Sequence, residues 1–396
     1  MIKKAFLFLL FGLTFYSISF CISKTVQKVI VYYHNTVNIE KSLELSNGIS
    51  DENLSSLVKA YLFLADSVEK FYGKSESYIE KLIKYADEEN MDLYEVVKLL
   101  KIWRFDSITK LDGKFEELLL KFPDSLIVVL EAMRFHHYNY THYFYESSYK
   151  TLERLFNIAT RLDPGVSSPY IWIINAKKIK EEDVEPFISE AIKNADCKVL
   201  RRFLATFYFE KGDYEKAVEN SKVVPDFEKD SEILYIIGIS LWKLQKFEEA
   251  LTFLEMLIDN EDFEKLYFKK QAQVYRAAGD IYEKREDIKT AVEYYKKAVK
   301  KDSNDSETFK ALGMAYLKTS DPDKEIYARY YLNLALKISP NLSDAEKVLK
   351  EINKKFVRVA FLKYMFPVLM IVIILLVLLE FSIKLKKKKD MRRLMK

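Results

Sequence analysis

The chain is predicted to be all-α, an α-solenoid of helical hairpins with a C-terminal transmembrane helix, and three observations point there. In residues 273–302, Tyr275, Ala278, Gly279 and Tyr282 recur at i, i+3, i+4 and i+7. After a short polar turn, Ala291, Tyr295 and Ala298 recur at i, i+4 and i+7, so two amphipathic helices each carry one apolar stripe. Only 9 glycines and 8 prolines occur in 396 residues, too few for a fold built on phosphate loops or tight β-hairpins. Lastly, residues 364–379 contain no charged side chain.

Taken in order, residues 1–23 carry Lys3 and Lys4, an apolar run from Ala5 to Tyr16, and small polar residues at Ser17, Ser19 and Ser23. This is the layout of a secretory signal peptide cut after Ser19 or Ser23. Because the run continues through Phe20, Cys21 and Ile22, an uncleaved N-terminal anchor is the alternative. A lipoprotein signal at Cys21 is disfavoured, since Phe20 stands where a small residue belongs. Both main readings export the helical body of the chain.

Residues 24–123 form an N-terminal helical region. Three helices are expected between residues 51 and 103, with capping-box starts at Ser77 with Glu80 and at Asp92 with Glu95. Phe115, Leu118 and Pro123 have the spacing of a repeat ending. Residues 124–197 hold degenerate repeats, marked by Leu152, Phe156, Ala159 and Pro164 and by Ile188, Ile192 and Ala195. These stretches read equally as diverged repeats or as a helical cap.

Residues 198–340 carry the pattern most clearly. Leu204, Ala205 and Tyr208 precede the turn at Gly212, Asp213 and Tyr214, with Ala217 beyond it; Leu234, Ile237, Gly238 and Leu241 precede Ala250, Leu254 and Leu257. Beyond the central hairpin, Phe309, Leu312, Gly313 and Tyr316 precede Ala328, Leu332, Ala335 and Pro340, with extra turn residues at Ser320, Asp321 and Pro322. Gly279 and Gly313 are 34 residues apart. These positions resemble the tetratricopeptide repeat, which has that period, and the resemblance extends over four consecutive hairpins. Such a hairpin cannot bury its stripe alone and needs stacked neighbours.

Residues 341–363 supply a capping helix opened by Ser343 with Glu346, with Leu349, Ile352, Phe356 and Val359 on its apolar face. Residues 364–383 are about 20 residues long, roughly 30 Å of helix, and read as a membrane span. Pro367 is expected to bend the junction, and Glu380 can pair with Lys384 at the interface. Residues 384–396 hold eight basic residues and one acidic, outnumbering Lys354, Lys355, Arg358 and Lys363 on the other flank. By the positive-inside rule the tail is cytoplasmic and the repeats extracytoplasmic, in a single pass of the cytoplasmic membrane. The basic tail also suits anionic lipid headgroups.

Without that tail the chain has 55 basic against 58 acidic residues, so no concentrated basic face is left for nucleic acid. Cys21 and Cys197 imply no structural disulfide within the chain, and Cys197 reads as a small packing residue. His136, His137 and His142 cluster, yet no two of them stand at i, i+3 or i, i+4; only His142 with Glu146 has metal-site spacing. Packing is the favoured reading, and no metal or cofactor is expected. With no nucleophile–base order, Walker-type loop or paired-cysteine motif, the sequence points away from an enzyme.

The resemblance implies a concave groove lined by the first helix of each hairpin, binding proteins or peptide segments. Carried over by position, its lining here is Phe209, Tyr235, Ile239, Trp242, Arg276, Asp280, Lys310 and Met314. The lysine and asparagine clamp of chaperone-binding members is not matched, because Asp280 and Met314 stand where asparagine would serve. What remains is an aromatic patch beside Arg276 and Lys310, suited to a segment with apolar anchors and some acidic character. The competing reading is that Tyr235 and Trp242 pack against neighbouring hairpins. The expected function is a membrane-anchored protein–protein interaction scaffold in envelope assembly or secretion. The alternative is an accessory solute-binding component of a transport system, with a small ligand in an aromatic cavity between Tyr138 and Tyr170.

Overall fold

The computed structural model describes residues 24–70, 76–83, 90–111 and 113–394. The signal-peptide or anchor expectation for residues 1–23 lies outside the described residues. Among the described residues every regular element is helical, and the chain divides into two compact units, Met1–Phe227 and Glu228–Lys396.

The first unit contains α1 (Lys24–Thr36), α2 (Ile39–Ser46), α3 (Glu52–Lys70), α4 (Glu76–Leu82), α5 (Met91–Phe105), α6 (Lys114–Lys121), α7 (Leu126–Tyr143), α8 (Glu146–Leu162), α9 (Ser167–Ile179), α10 (Glu185–Ala195), α11 (Lys198–Lys211) and α12 (Tyr214–Lys222). Helices α7 and α8 pair as a hairpin, as do α11 and α12, whereas α3 lies against α5. The start of α5 differs from the expected capping box. Asn90 stands at the cap, while Asp92 turns inward to accept the Ser125 hydroxyl at 2.6 Å and the Leu93 N–H at 2.8 Å. Burial raises the Asp92 pKa. Cys197 also does more than pack: it caps α11, its sulfur 3.5 Å from the Leu200 N–H.

A buried polar network joins four helices of this unit. The Tyr61 hydroxyl of α3 donates to Glu131 Oε1 of α7 at 2.7 Å, so His34 Nε2 of α1 donates to Tyr61 at 2.9 Å. His34 Nδ1 faces Ser168 Oγ of α9 at 3.0 Å, and Arg134 lies 3.3 Å from Glu131 while donating to the Ala65 carbonyl at 2.9 Å. Burial alone would raise the Glu131 pKa, but Arg134, His34 and Tyr61 together hold it below the usual carboxylate range.

The second unit contains three hairpins, α13 (Ser231–Lys243) with α14 (Phe247–Ile258), α15 (Phe268–Lys284) with α16 (Ile288–Lys301), and α17 (Ser306–Lys318) with α18 (Lys324–Ile338). They are followed by α19 (Ser343–Ala360) and α20 (Phe366–Leu394). Aspartates cap the hairpin helices as their short side chains favour: Asp230 accepts the Glu232 N–H at 3.2 Å, Asp287 the Thr290 N–H at 3.1 Å, and Asp305 the Glu307 N–H at 3.0 Å. Successive first helices touch, α13 on α15 and α15 on α17. The close approach within a hairpin depends on glycine at Gly279, where a Cβ would stand 2.7 Å from the Tyr295 ring. The stripes close into a core containing Ala291, Tyr295, Leu312, Tyr316, Leu332 and Ile352.

Helix α19 packs against the last hairpin, and two expectations about it change. Leu342, not Ser343, precedes its first turn, with no side-chain cap. Its buried face is Ala345 and Ile352, with Phe356 at the edge, while Val359 is exposed. A single wide π-type turn over Phe361–Met365 then carries it into α20, so Pro367 enters a continuing helix one turn later. The wider turn precedes the proline's missing donor without interrupting the helical path. The run Ser343–Lys388 is long and apolar enough to cross a membrane, and Glu380 pairs with Lys384 at 2.8 Å.

Candidate partner-binding cleft

A cleft of about 320 Å³ opens in the second unit where the first helices end, lined by Trp242, Phe247, Asp280, Glu283, Lys284 and Lys318. Trp242 comes from the last turn of α13 and Phe247 from the first turn of α14. Asp280, Glu283 and Lys284 come from the last turns of α15, and Lys318 ends α17. Each of these first helices ends in lysine, Lys243, Lys284 and Lys318, where a cation complements the partial negative charge of a helix C-terminus. Lys243 also lies over the Trp242 ring, 4.4 Å from its centroid.

The acidic floor is satisfied from within. The Tyr295 hydroxyl lies 2.7 Å from both Asp280 Oδ1 and Glu283 Oε2, and Lys318 Nζ lies 2.7 Å from Glu283 Oε1. One phenol has one proton, which the hydroxyl shares between the two carboxylates. Burial, reinforced by Glu283, raises the Asp280 pKa against the opposing effects of Tyr295 and Arg276. Tyr295 itself is held far above the ordinary phenol range, chiefly by burial and then by Asp280. With Glu283 bound by Lys318, the cleft presents aromatic walls beside the lysines.

The residues expected to line a groove are placed unevenly. Trp242 and Asp280 meet in the cleft. Tyr235 is buried, with its hydroxyl 2.5 Å from Gln273 Oε1 on the next first helix, and Ile239 is fully buried in the core. Arg276 lies 3.7 Å from Asp305, and Lys310 pairs with Glu307 at 2.6 Å. Met314 is partly buried against the last hairpin's core. Phe209 belongs to the first unit, edge-on to Tyr214 with ring centroids 6.0 Å apart. Phe247, Glu283, Lys284 and Lys318 are additions from the structure. Their signal in the sequence is the 34-residue spacing of Lys284 and Lys318, equal to the repeat period.

The three clustered histidines make aromatic and polar contacts. His136 Nε2 lies 2.9 Å from Glu116, and half-buried His137 contacts Asn175 at 3.1 Å with its pKa pushed down to about 4, chiefly by desolvation. His142 stacks on Tyr138 with centroids 4.0 Å apart. Among the described residues no group of three or more histidine, cysteine, aspartate or glutamate side chains could hold a metal ion. Tyr170 is fully buried, its hydroxyl 3.4 Å from Glu190 and 3.3 Å from Asn194. Tyr138 meets the Trp103 ring edge-on.

Two family models match parts of the chain. Anaphase-promoting complex, cyclosome, subunit 3 matches residues 193–257, and the tetratricopeptide repeat matches residues 272–305. The central hairpin is a tetratricopeptide match. Comparison with curated proteins finds no match. Among solved structures, the APC/C hetero-tetramer Cut9–Hcn1 is 17% identical with a TM-score of 0.42, covering 79% of this chain. This chain in turn covers 58% of the Cut9–Hcn1 chain. The C-terminal part of a TPR repeat-containing protein from Cytophaga hutchinsonii is 12% identical with a TM-score of 0.43, covering 59% of this chain and 89% of its own. YrrB, described as a TPR protein with an unusual peptide-binding site, is 17% identical with a TM-score of 0.31, covering 60% of this chain and 97% of its own. The family matches thus fall on the hairpin stretch of the chain, residues 193–257 and 272–305.

Proposed function

We propose that this protein is a membrane-anchored interaction scaffold, its repeats outside the cytoplasmic membrane and its basic tail inside, acting in envelope assembly or secretion. The anchoring half of this reading is supported by the unbroken helix into residues 364–383 and by the excess of flanking charge beyond it. The binding half is carried by one observation, the aromatic cleft of Trp242 and Phe247 beside Lys284 and Lys318. A partner segment placing an apolar side chain between the rings, with acidic residues on either side, matches that lining. Trp242→Ala combined with Lys284→Glu, in the full chain purified from membranes, should lose co-purifying proteins while keeping its helical content. Retention of the same partners would remove the cleft from this reading.

A further inference from the structure

Helix α18 is followed within five residues by α19, and Glu325 at its start is ion-paired with Lys355 near the end of α19. One turn further on, Arg329 lies over the Phe356 ring, 5.5 Å from its centroid. The two helices are therefore antiparallel, and the first turn of α18 stands level with residues 355 and 356. From Lys355 to Tyr364 is nine residues of helix, roughly 13 Å. The headgroup layer outside a hydrocarbon core of about 30 Å is roughly 5–8 Å deep on each side. A side chain's reach and an ordinary span tilt of about 20° cover the remaining few ångströms.

The outer side of that turn is unusually apolar for a solvent-facing surface. Ile326 is 54% exposed and Tyr330, one turn on, is 58% exposed. On α19 and the wide turn, Val357 and Phe361 are exposed as well, interspersed with Lys354, Arg358 and Lys363. Tyrosine and aliphatic side chains beside lysine and arginine form the mixture that favours a membrane–water interface. We propose that the last hairpin rests on the bilayer, with Ile326 at the start of α18 and Val357 and Phe361 beyond it seated in the lipid headgroup layer. The occupant of this surface is the membrane that α20 crosses, so the inference rests on the anchored reading above.

The test uses the full chain carrying Cys21→Ser and Cys197→Ser, reconstituted into phosphatidylethanolamine–phosphatidylglycerol vesicles. Single cysteines are introduced by Ile326→Cys, Lys337→Cys or Leu375→Cys and labelled with an environment-sensitive fluorophore. Quenching is read with nitroxides carried on lipid headgroups or at mid-chain. The Ile326 label should be quenched several-fold more by headgroup nitroxides than the Lys337 label at the far end of α18, and the Leu375 label by mid-chain nitroxides. Equal quenching at positions 326 and 337, with Leu375 still quenched from mid-chain, overturns the resting surface and leaves the anchor intact. A Leu375 label unquenched by either probe overturns the anchor itself.

Discussion

Tyr295 does two jobs that a single apolar position would not suggest. Its ring fills the space that Gly279 leaves open, and its hydroxyl ties Asp280 to Glu283. Tyr295→Phe keeps the ring and removes that link, leaving a half-buried carboxylate short of a donor. Chemical denaturation should show a loss of about 1–3 kcal/mol. A pH dependence arises from the raised Asp280 pKa. A carboxyl raised on folding contributes stability below its unfolded pKa, and that contribution is lost as pH rises through the folded value. Asp280→Asn should therefore gain stability relative to the parent at pH 7 and lose that advantage towards pH 3, as paired urea titrations would show. The sequence placed Tyr295 correctly on an apolar stripe, but the hydroxyl's partners lie 12 and 15 residues back on another helix. Lys284 and Lys318 were not legible for a different reason: a lysine in a last helical turn already has an ordinary explanation in the helix dipole.

Among elements, the hairpin turns show which positions are under strain. Gly212 adopts φ 81° directly after α11, and the turns after α13 and α15 place Gln245 at φ 59° and Glu286 at φ 62° in the same left-handed region. A side chain there costs about 1–2 kcal/mol, offset in part by glycine's larger entropy loss. Glu286→Gly should then raise stability by up to about 1 kcal/mol, measurable as an increase in Tm. Gly279→Ala should do the reverse. A helix gains about 1 kcal/mol from alanine over glycine, but a methyl group 2.7 Å from a ring held by two hydrogen bonds costs about 2 kcal/mol or more. Helix positions from residue 204 to 338 were legible because a 3.6-residue apolar period records which face is buried. Helix starts were not: Asp92 and Ser343 have capping-box spacing, yet Asp92 turns inward to Ser125 and Ser343 is the first residue of its helix, after the cap position at Leu342. Tyr235 and Ile239 show the same limit, since a groove position in a repeat says nothing of how tightly the next helix packs over it.

For the molecule as a whole, the charge asymmetry about residues 364–383 makes the anchored reading checkable without any partner. Protease added to intact spheroplasts should digest the repeats and spare a fragment containing residues 364–396; full protection of the repeats would sink the proposed topology. The two units also differ in how far along the chain their contacts reach. Hairpins of the second unit close over neighbouring helices, so each can form soon after its own residues are available. The buried network of the first unit joins His34 to Ser168 across 134 residues. Its N-terminal helix must wait, unclasped, until α9 has been made, so the earliest synthesised part of the body is among the last to reach its final contacts. Contacts that distant in sequence are expected to form more slowly than the local contacts of a hairpin. A substitution at Ser168 should therefore retard acquisition of protease resistance near the N-terminus far more than it disturbs the hairpins of the second unit.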